Sequence, residues 1–236
     1  MILSIIIPVF NEEKTIGEIL KKVFEVKLPH NIQKEIIVVD DGSTDSTAKI
    51  LNDSNKKGVF LLKHNRNLGK GSAIITGLTK ATGDFLIIQD ADLEYNPQDY
   101  TKLLQPILKN KTKVVYGTRL VNYPLRLWGE NKTILPLHLL ANRFLTWMTN
   151  LLYGVSLTDM ETCYKLFEKD VIKKINLQSK GFDFEPEITA KILKQNIHIS
   201  EVPISIKPRT YQEGKKISWR DGLIALWTLI KYRLIN

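Results

Sequence analysis

The sequence predicts an α/β domain built on a mostly parallel central sheet flanked by helices, with amphipathic helices toward its C-terminus. Short apolar runs alternate with helix-like stretches through the first 120 residues. These runs are continuous rather than alternating, the pattern of strands covered on both faces. A length of 236 residues also suits one core better than two. One domain over 1–236 is therefore expected, with a first half to about residue 120 and a second over about 121–236.

The first run, Leu3–Phe10, lacks the basic lead and small-residue cleavage site of a signal peptide, so it is expected as a strand in a cytoplasmic protein. Strands are also expected at Glu35–Asp40, Val59–Leu62, Phe85–Gln89 and Val114–Tyr116. Between them, helical patterns run over 12–27, 44–53, 70–81 and 97–109, the last with Pro97 suited to a first turn. Ile134–Leu157 is rich in Leu, Trp, Phe and Tyr, with polar residues at three- and four-residue spacings. It predicts an amphipathic helix or helix pair, too interrupted for a membrane span, which needs ~20 apolar residues. Glu185–Gln195 reads as a helix, Ile197–Ile206 as a strand and Trp219–Leu234 as a final amphipathic helix. The stripe of Trp219, Leu223, Leu226, Trp227, Ile230 and Leu234 is expected chiefly to dock on the protein's own core; membrane-interface contact is the other reading.

Composition narrows the classes. With 43% apolar and 25% charged residues, the chain is neither disordered nor collagenous. Its single cysteine, Cys163, cannot form an internal disulfide, and no Cys/His cluster has zinc-ligand spacing. Of the net charge of +9, +5 lies in residues 203–236, where seven basic side chains face two acids. Nucleic acid, anionic membrane or a phosphate-bearing substrate would all suit such a terminus.

In a mostly parallel sheet, ligands bind beyond the carboxyl ends of the strands, so the segments there carry the chemistry. After the second strand comes Asp40-Asp41-Gly42-Ser43-Thr44-Asp45. A turn and helix cap explain much of it. They do not explain two adjacent aspartates at the sheet's mouth, where a carboxylate can bind a base edge or a ribose hydroxyl. After the fourth strand, Asp90, Asp92 and Glu94 have the i, i+2 spacing that in an extended segment aims three carboxylates at one point, a site for Mg²⁺ or Mn²⁺ on a substrate diphosphate. Asn65-Arg66-Asn67-Leu68-Gly69-Lys70-Gly71 opens a helix and raises a phosphate-binding loop. It is not a Walker loop, since Gly71 follows the lysine where Ser or Thr is needed, and the dinucleotide fingerprint is absent after the first strand.

Together, Ile7-Pro8-Val9-Phe10-Asn11-Glu12, Val38-Val39-Asp40-Asp41-Gly42-Ser43, Asn67-Leu68-Gly69-Lys70-Gly71, Asp90-Ala91-Asp92 and Tyr116-Gly117-Thr118-Arg119 resemble family 2 glycosyltransferases of the GT-A fold. Within that family the chain is most similar to dolichyl- or polyprenyl-phosphate sugar transferases. That likeness continues through Asn142-Arg143, Thr158-Asp159-Met160-Glu161-Thr162 and Arg209…Gly214-Lys215-Lys216, covering nearly the whole chain. The resemblance implies a metal-dependent, inverting hexose transfer from a GDP- or UDP-sugar, bound by the first half, to an acceptor bound by the second. Carried over position by position, Pro8, Asn11, Glu12, Asp40 or Asp41, Lys70, Asp90 and Ala91 would meet the nucleotide sugar. Asp90 and Asp92, with Glu94 left open, would hold Mg²⁺ or Mn²⁺. Asp92, Arg119 and Asp159 would be catalytic, and Arg119, Arg143, Arg209, Lys215 and Lys216 would bind an acceptor phosphate.

Three features qualify the likeness. Relatives often carry glutamine where Glu94 stands, many have C-terminal transmembrane helices where this sequence ends at Asn236, and no Q-x-x-R-W of processive synthases occurs. A single-transfer enzyme is expected. The implied acceptor is a polyprenyl or dolichyl phosphate, mostly dianionic at pH 7 and needing little base catalysis. Asp159 falls where hydroxyl-using relatives place a base; it can alternatively orient the acceptor or cap a helix. Peripheral membrane contact, or a membrane partner protein, would bring enzyme and lipid together. The alternatives are a catalytically inactive nucleotide-sugar-binding protein and a transferase for a soluble or glycan hydroxyl acceptor. Nucleic acid is not expected, because aromatic residues do not interleave with the basic stretch.

Overall fold

A computed structural model describes residues 1–55, 58–122, 133, 135–209, 214, 216 and 218–235. Seven strands form one sheet in the order β3-β2-β1-β4-β6-β5-β7. They are β1 (Ile2–Val9), β2 (Gln33–Asp40), β3 (Val59–Lys63), β4 (Phe85–Ile88), β5 (Val114–Thr118), β6 (Lys165–Glu168) and β7 (Ile199–Pro203). All neighbours are parallel except β6, which runs antiparallel between β4 and β5. The expected strands are all present. Leu3, Ile5, Ile6 and Ile7 on β1 are 0% exposed, as a strand covered on both faces requires.

The helices are α1 (Ile16–Glu25), α2 (Thr47–Asn55), α3 (Lys70–Lys80), α4 (Tyr100–Leu108), α5 (Pro136–Tyr153), α6 (Lys169–Ile172), α7 (Phe184–Lys194) and α8 (Trp219–Leu234). α1 buries Ile16, Ile19, Leu20 and Val23, an i, i+3, i+4, i+7 stripe. It starts at Ile16 rather than residue 12 because the preceding turn is held from elsewhere: Glu12 N–H donates to Thr47 Oγ1 at 2.9 Å and Glu13 N–H to Asp45 Oδ2 at 3.2 Å. The 134–157 stretch resolves into the single helix α5, with Gly154 as a left-handed cap at φ 67°.

α5 and α8 pack through Leu145, Met160, Ala225 and Leu229, and the Tyr153 hydroxyl donates to Leu229 O at 2.8 Å. This pairing overturns the expected docking for most of the α8 stripe, although Leu226 packs against this cluster and Ile230 is half-buried. The face turned inward is Ala225, Thr228, Leu229 and Tyr232, while Trp219, Leu223, Trp227 and Leu234 are 58–79% exposed. On α5, Leu137, Leu140, Phe144, Trp147 and Leu151 are exposed as well. Among the described residues no helix is long and apolar enough to cross a membrane.

Candidate active site

The registers Val9↔Asp40 and Ile6↔Ile88 bring the carboxyl ends of β1, β2 and β4 to one edge of the sheet. There the loops after β1 and β2 are laced together. Asn11, at φ 51°, donates its N–H to Ser43 Oγ at 3.0 Å and accepts Thr44 N–H through Oδ1 at 2.8 Å. Pro8 lies in β1 opposite Val39, and Ala91 is buried at the end of β4. The paired aspartates part company. Asp40 accepts one N–H, from Ser43, through Oδ1 at 2.9 Å. Asp41 accepts Leu68 N–H (2.9 Å) and Gly69 N–H (2.8 Å) and meets His64 Nδ1 at 2.7 Å. Its charge is spent on three donors within the chain.

The N-terminus of α3 is not an open anion site. Besides the two N–H groups on Asp41, Gly71 N–H donates to Gly181 O and Ser72 N–H to Lys180 O, each at 3.1 Å. Four backbone donors of this turn, those of Leu68, Gly69, Gly71 and Ser72, are thus taken. The glycines serve this closure. At Gly69, φ 99°, a Cβ would overlap the Lys180 carbonyl, and at Gly71 it would lie 2.7 Å from Ser179 O. Lys70 instead turns toward the acids, with Nζ 2.9 Å from Asp90 Oδ1 and 2.9 Å from Glu185 Oε1.

Asp90, Asp92 and Glu94 do not converge. The loop bends after β4 rather than continuing extended, and Glu94 N–H folds back onto Asp92 Oδ1 at 3.0 Å. Asp90 faces Lys70, whereas Asp92 and Glu94 face Arg209. The Arg209 Nη2 lies 2.7 Å from Asp92 Oδ2, its backbone N–H donates to Glu94 Oε1 at 2.8 Å, and Nη1 lies 3.2 Å from Glu12 Oε2. Lys216 adds a second cation to Glu12 at 2.9 Å. Arg209 and Lys216, expected at an acceptor phosphate, thus stand beside the carboxylates of Glu12, Asp92 and Glu94; Lys215 lies outside the described residues.

Among the described residues no group of three or more His, Cys, Asp or Glu is placed to hold a metal ion. The donor chemistry nevertheless fits a hard divalent cation, which takes one or two carboxylates and completes its shell with substrate phosphates and water. Asp92 bears the mark of concentrated negative charge. Burial, followed by the Asp90 charge, pushes its carboxyl to about 7 against the pull of Arg209. Asp90 goes the other way: burial would raise it, but the Lys70 ammonium holds it below the ordinary carboxylate value.

The end of β5 carries a second charged cluster. Arg119 grips Asp159 through Nε to Oδ2 and Nη2 to Oδ1, both at 2.7 Å, and its own N–H reaches Oδ2 at 2.9 Å. Nη1 donates to the Tyr95 hydroxyl at 3.0 Å. Asp159 is 0% exposed, and both its oxygens are engaged by Arg119. Among the described residues these bonds use three of the five guanidinium N–H donors. Arg143 lies on the exposed side of α5.

Sequence reasoning passed over Glu185 and Lys165. Glu185 resembled any acid in a first helical turn, yet it is 5% exposed and completes the Lys70 pair. Lys165 is 0% exposed and donates to Met160 O at 2.7 Å and Thr162 O at 2.5 Å, fixing the loop that follows Asp159. Its Nζ lies 4.4 Å from the Tyr116 ring centroid, and burial pulls its pKa down to about 8.

Residues 4–175 match the family model of Glycosyl transferase family 2. The UDP-N-acetylglucosamine–dolichyl-phosphate N-acetylglucosaminyltransferase of Methanococcus voltae is 33% identical over 99% of this chain and 96% of its own length. The low-salt glycan biosynthesis hexosyltransferase Agl6 of Haloferax volcanii is 27% identical over 99% of this chain, which spans 53% of that protein. Among solved structures, glucosyl-3-phosphoglycerate synthase of Mycobacterium tuberculosis, crystallised with Mn²⁺, UDP and glucosyl-3-phosphoglycerate, superposes with a TM-score of 0.74. It shares 18% identity over 99% of this chain and 80% of its own, and shows the same fold.

Proposed function

The chain belongs to glycosyl transferase family 2, and from that premise we propose that it moves a hexose from a UDP- or GDP-sugar to a polyprenyl or dolichyl phosphate, with inversion at the anomeric carbon. The observation that carries the lipid acceptor is the apolar, tryptophan-bearing face that α5 and α8 leave exposed through Trp147, Trp219 and Trp227. A lipid phosphate must be met at a bilayer, and such a face beside basic side chains suits a bilayer surface. We place the enzyme peripherally at the cytoplasmic face of the membrane, alone or with a membrane partner. The Methanococcus voltae relative, by its name, acts on dolichyl phosphate.

Asp40 is assigned to the nucleoside, since Asp41 is committed to the loop beneath it. Asp90 and Asp92 would hold Mg²⁺ or Mn²⁺, which supplies charge neutralisation on the departing nucleoside diphosphate. Lys70, Arg209 and Lys216 neutralise carboxylates at this edge and would receive the diphosphate. Arg119, oriented by Asp159, offers guanidinium donors to the acceptor phosphate, whose oxygen attacks the anomeric carbon as the donor's C–O bond breaks. A dianionic phosphate brings its own nucleophilic oxygen, consistent with the commitment of Asp159 to Arg119.

Thermal-shift titration against UDP- and GDP-sugars with Mn²⁺ tests the donor half of this reading. At 100 times Kd a ligand stabilises by about 2.7 kcal/mol, equivalent to roughly 5–11 °C in a chain of this size. One nucleotide series should shift the melt, and EDTA should remove most of the shift; no shift with either series would overturn the donor assignment.

A further inference from the structure

Glu161 is the candidate. Among the described residues its Oε1 is buried without a hydrogen-bond partner, and the neighbouring Thr162 Oγ1 is buried without one as well. Buried polar atoms in native structures are seldom left unpaired, because doing so costs about 1–3 kcal/mol each. The bonds made by the cations nearby go elsewhere. Lys165 gives its ammonium to Met160 O and Thr162 O, and Arg119 gives its fork to Asp159 and Tyr95. The side chain is therefore waiting for a donor from outside the chain.

Its surroundings indicate what that donor is. Glu161 lies in the segment joining α5 to β6, two residues from Asp159 and two from Cys163. The Cys163 thiol faces Ile88 O, at the carboxyl end of β4, at 3.8 Å. The charges acting on Glu161 include those of Glu185, the partner of Lys70, of Lys165, and of Arg119 with its partner Asp159. A buried carboxyl that can both donate and accept suits a hydroxyl, which does the same, better than a phosphate, which offers acceptors. Resting on the donor and acceptor assignments above, we infer that Glu161 hydrogen-bonds hydroxyl groups of the hexose being transferred and so helps select which hexose is accepted. Burial, with Glu185 nearby, raises its carboxyl to about 8, so near neutral pH the group carries a proton to give as well as a lone pair to receive.

The test compares binding of UDP and GDP with binding of UDP-N-acetylglucosamine, UDP-glucose and GDP-mannose, by calorimetry in Mn²⁺, for the wild type, Glu161→Gln and Glu161→Ala. The inference expects free nucleotide affinity to stay within about twofold in both variants. The preferred sugar nucleotide should bind at least about tenfold more weakly to Glu161→Ala, with partial rescue in Glu161→Gln, and discrimination among sugars should narrow. The melting temperature of Glu161→Ala should hold or rise, since an unpaired buried carboxyl is removed. Equal losses for nucleotide and sugar nucleotide, a lowered melting temperature, or unchanged sugar affinity would each overturn the inference. A wild type that binds no nucleotide at all would instead overturn the donor assignment on which it rests.

Discussion

Replacing Asp41 with Asn separates a tie within the fold from a nucleotide ligand. Asp41 is 2% exposed; its Oδ1 accepts Leu68 N–H and meets His64 Nδ1, and its Oδ2 accepts Gly69 N–H. Asparagine keeps one oxygen. In its better orientation that oxygen serves Leu68 and His64, while the new NH₂ confronts Gly69 N–H. One hydrogen bond to a charged acceptor is lost, about 1.5–3 kcal/mol, and a buried N–H is left unpaired. A total of roughly 2–4 kcal/mol follows, or about 4–16 °C in melting temperature for a chain of this size. Asp40→Asn should cost under about 1 kcal/mol, because the retained oxygen can still accept Ser43 N–H, as neutral hydrogen bonds contribute about that much. Urea denaturation gives both stabilities, and calorimetry with the binding nucleotide and Mn²⁺ gives both affinities. The expected pattern is crossed: Asp41→Asn loses stability, and Asp40→Asn loses nucleotide. An Asp41→Asn protein as stable as wild type but without nucleotide affinity would refute the assignment and make Asp41 the nucleoside ligand.

Arg119→Ala strands the buried Asp159 carboxylate and should cost about 3–5 kcal/mol, whereas Arg119→Met with Asp159→Leu should recover most of that loss while remaining inactive; urea melts of the single and double variants check this. Glu187 accepts Gln178 N–H at 3.0 Å and pairs with Lys191 at 2.5 Å; burial opposes ionisation, but these partners hold its carboxyl below the ordinary value. A depressed folded pKa stabilises above the unfolded value of about 4.3 and is lost as pH falls through the lower folded value. Glu187→Gln should therefore flatten the fall in stability on acidification below about pH 4, and a wild-type slope in the variant would count against it. Trp147→Glu with Trp227→Glu should cut binding to anionic vesicles at least about tenfold, since each buried indole contributes on the order of 1–2 kcal/mol; unchanged flotation would return that face to solvent.

Continuous apolar runs made the parallel strands legible, because burial on both faces leaves no polar alternation to confuse the reading. β6 was hidden by its brevity and by Lys165, a residue type that is rarely fully buried. Periodicity found the α8 stripe but assigned most of it to the wrong side. The inward face is built from Ala225, Thr228, Leu229 and Tyr232, less apolar than the tryptophan-bearing face turned outward. At the site, the charged residues could be picked out from position after a strand, but their partners could not. Asp159 meets Arg119 from 40 residues away, Glu185 meets Lys70 from 115, and Arg209 returns to Glu94 from 115. Such distances are set by topology, and the bend that turns Glu94 away from Asp90 breaks the straight-strand spacing that aimed three carboxylates at one point.

Hexosyl transfer to a lipid phosphate can be observed directly in a single incubation. Purified protein, Mn²⁺, the UDP- or GDP-sugar that shifts its melt, and a polyprenyl phosphate in vesicles are incubated together, and the lipid fraction is analysed by mass spectrometry and NMR. Wild type should form a hexosyl phosphodiester of the lipid with anomeric configuration opposite to the donor's, and Asp92→Asn should form none. Release of free sugar alone, or transfer to a soluble hydroxyl acceptor with the lipid phosphate left unmodified, would contradict the proposed transfer.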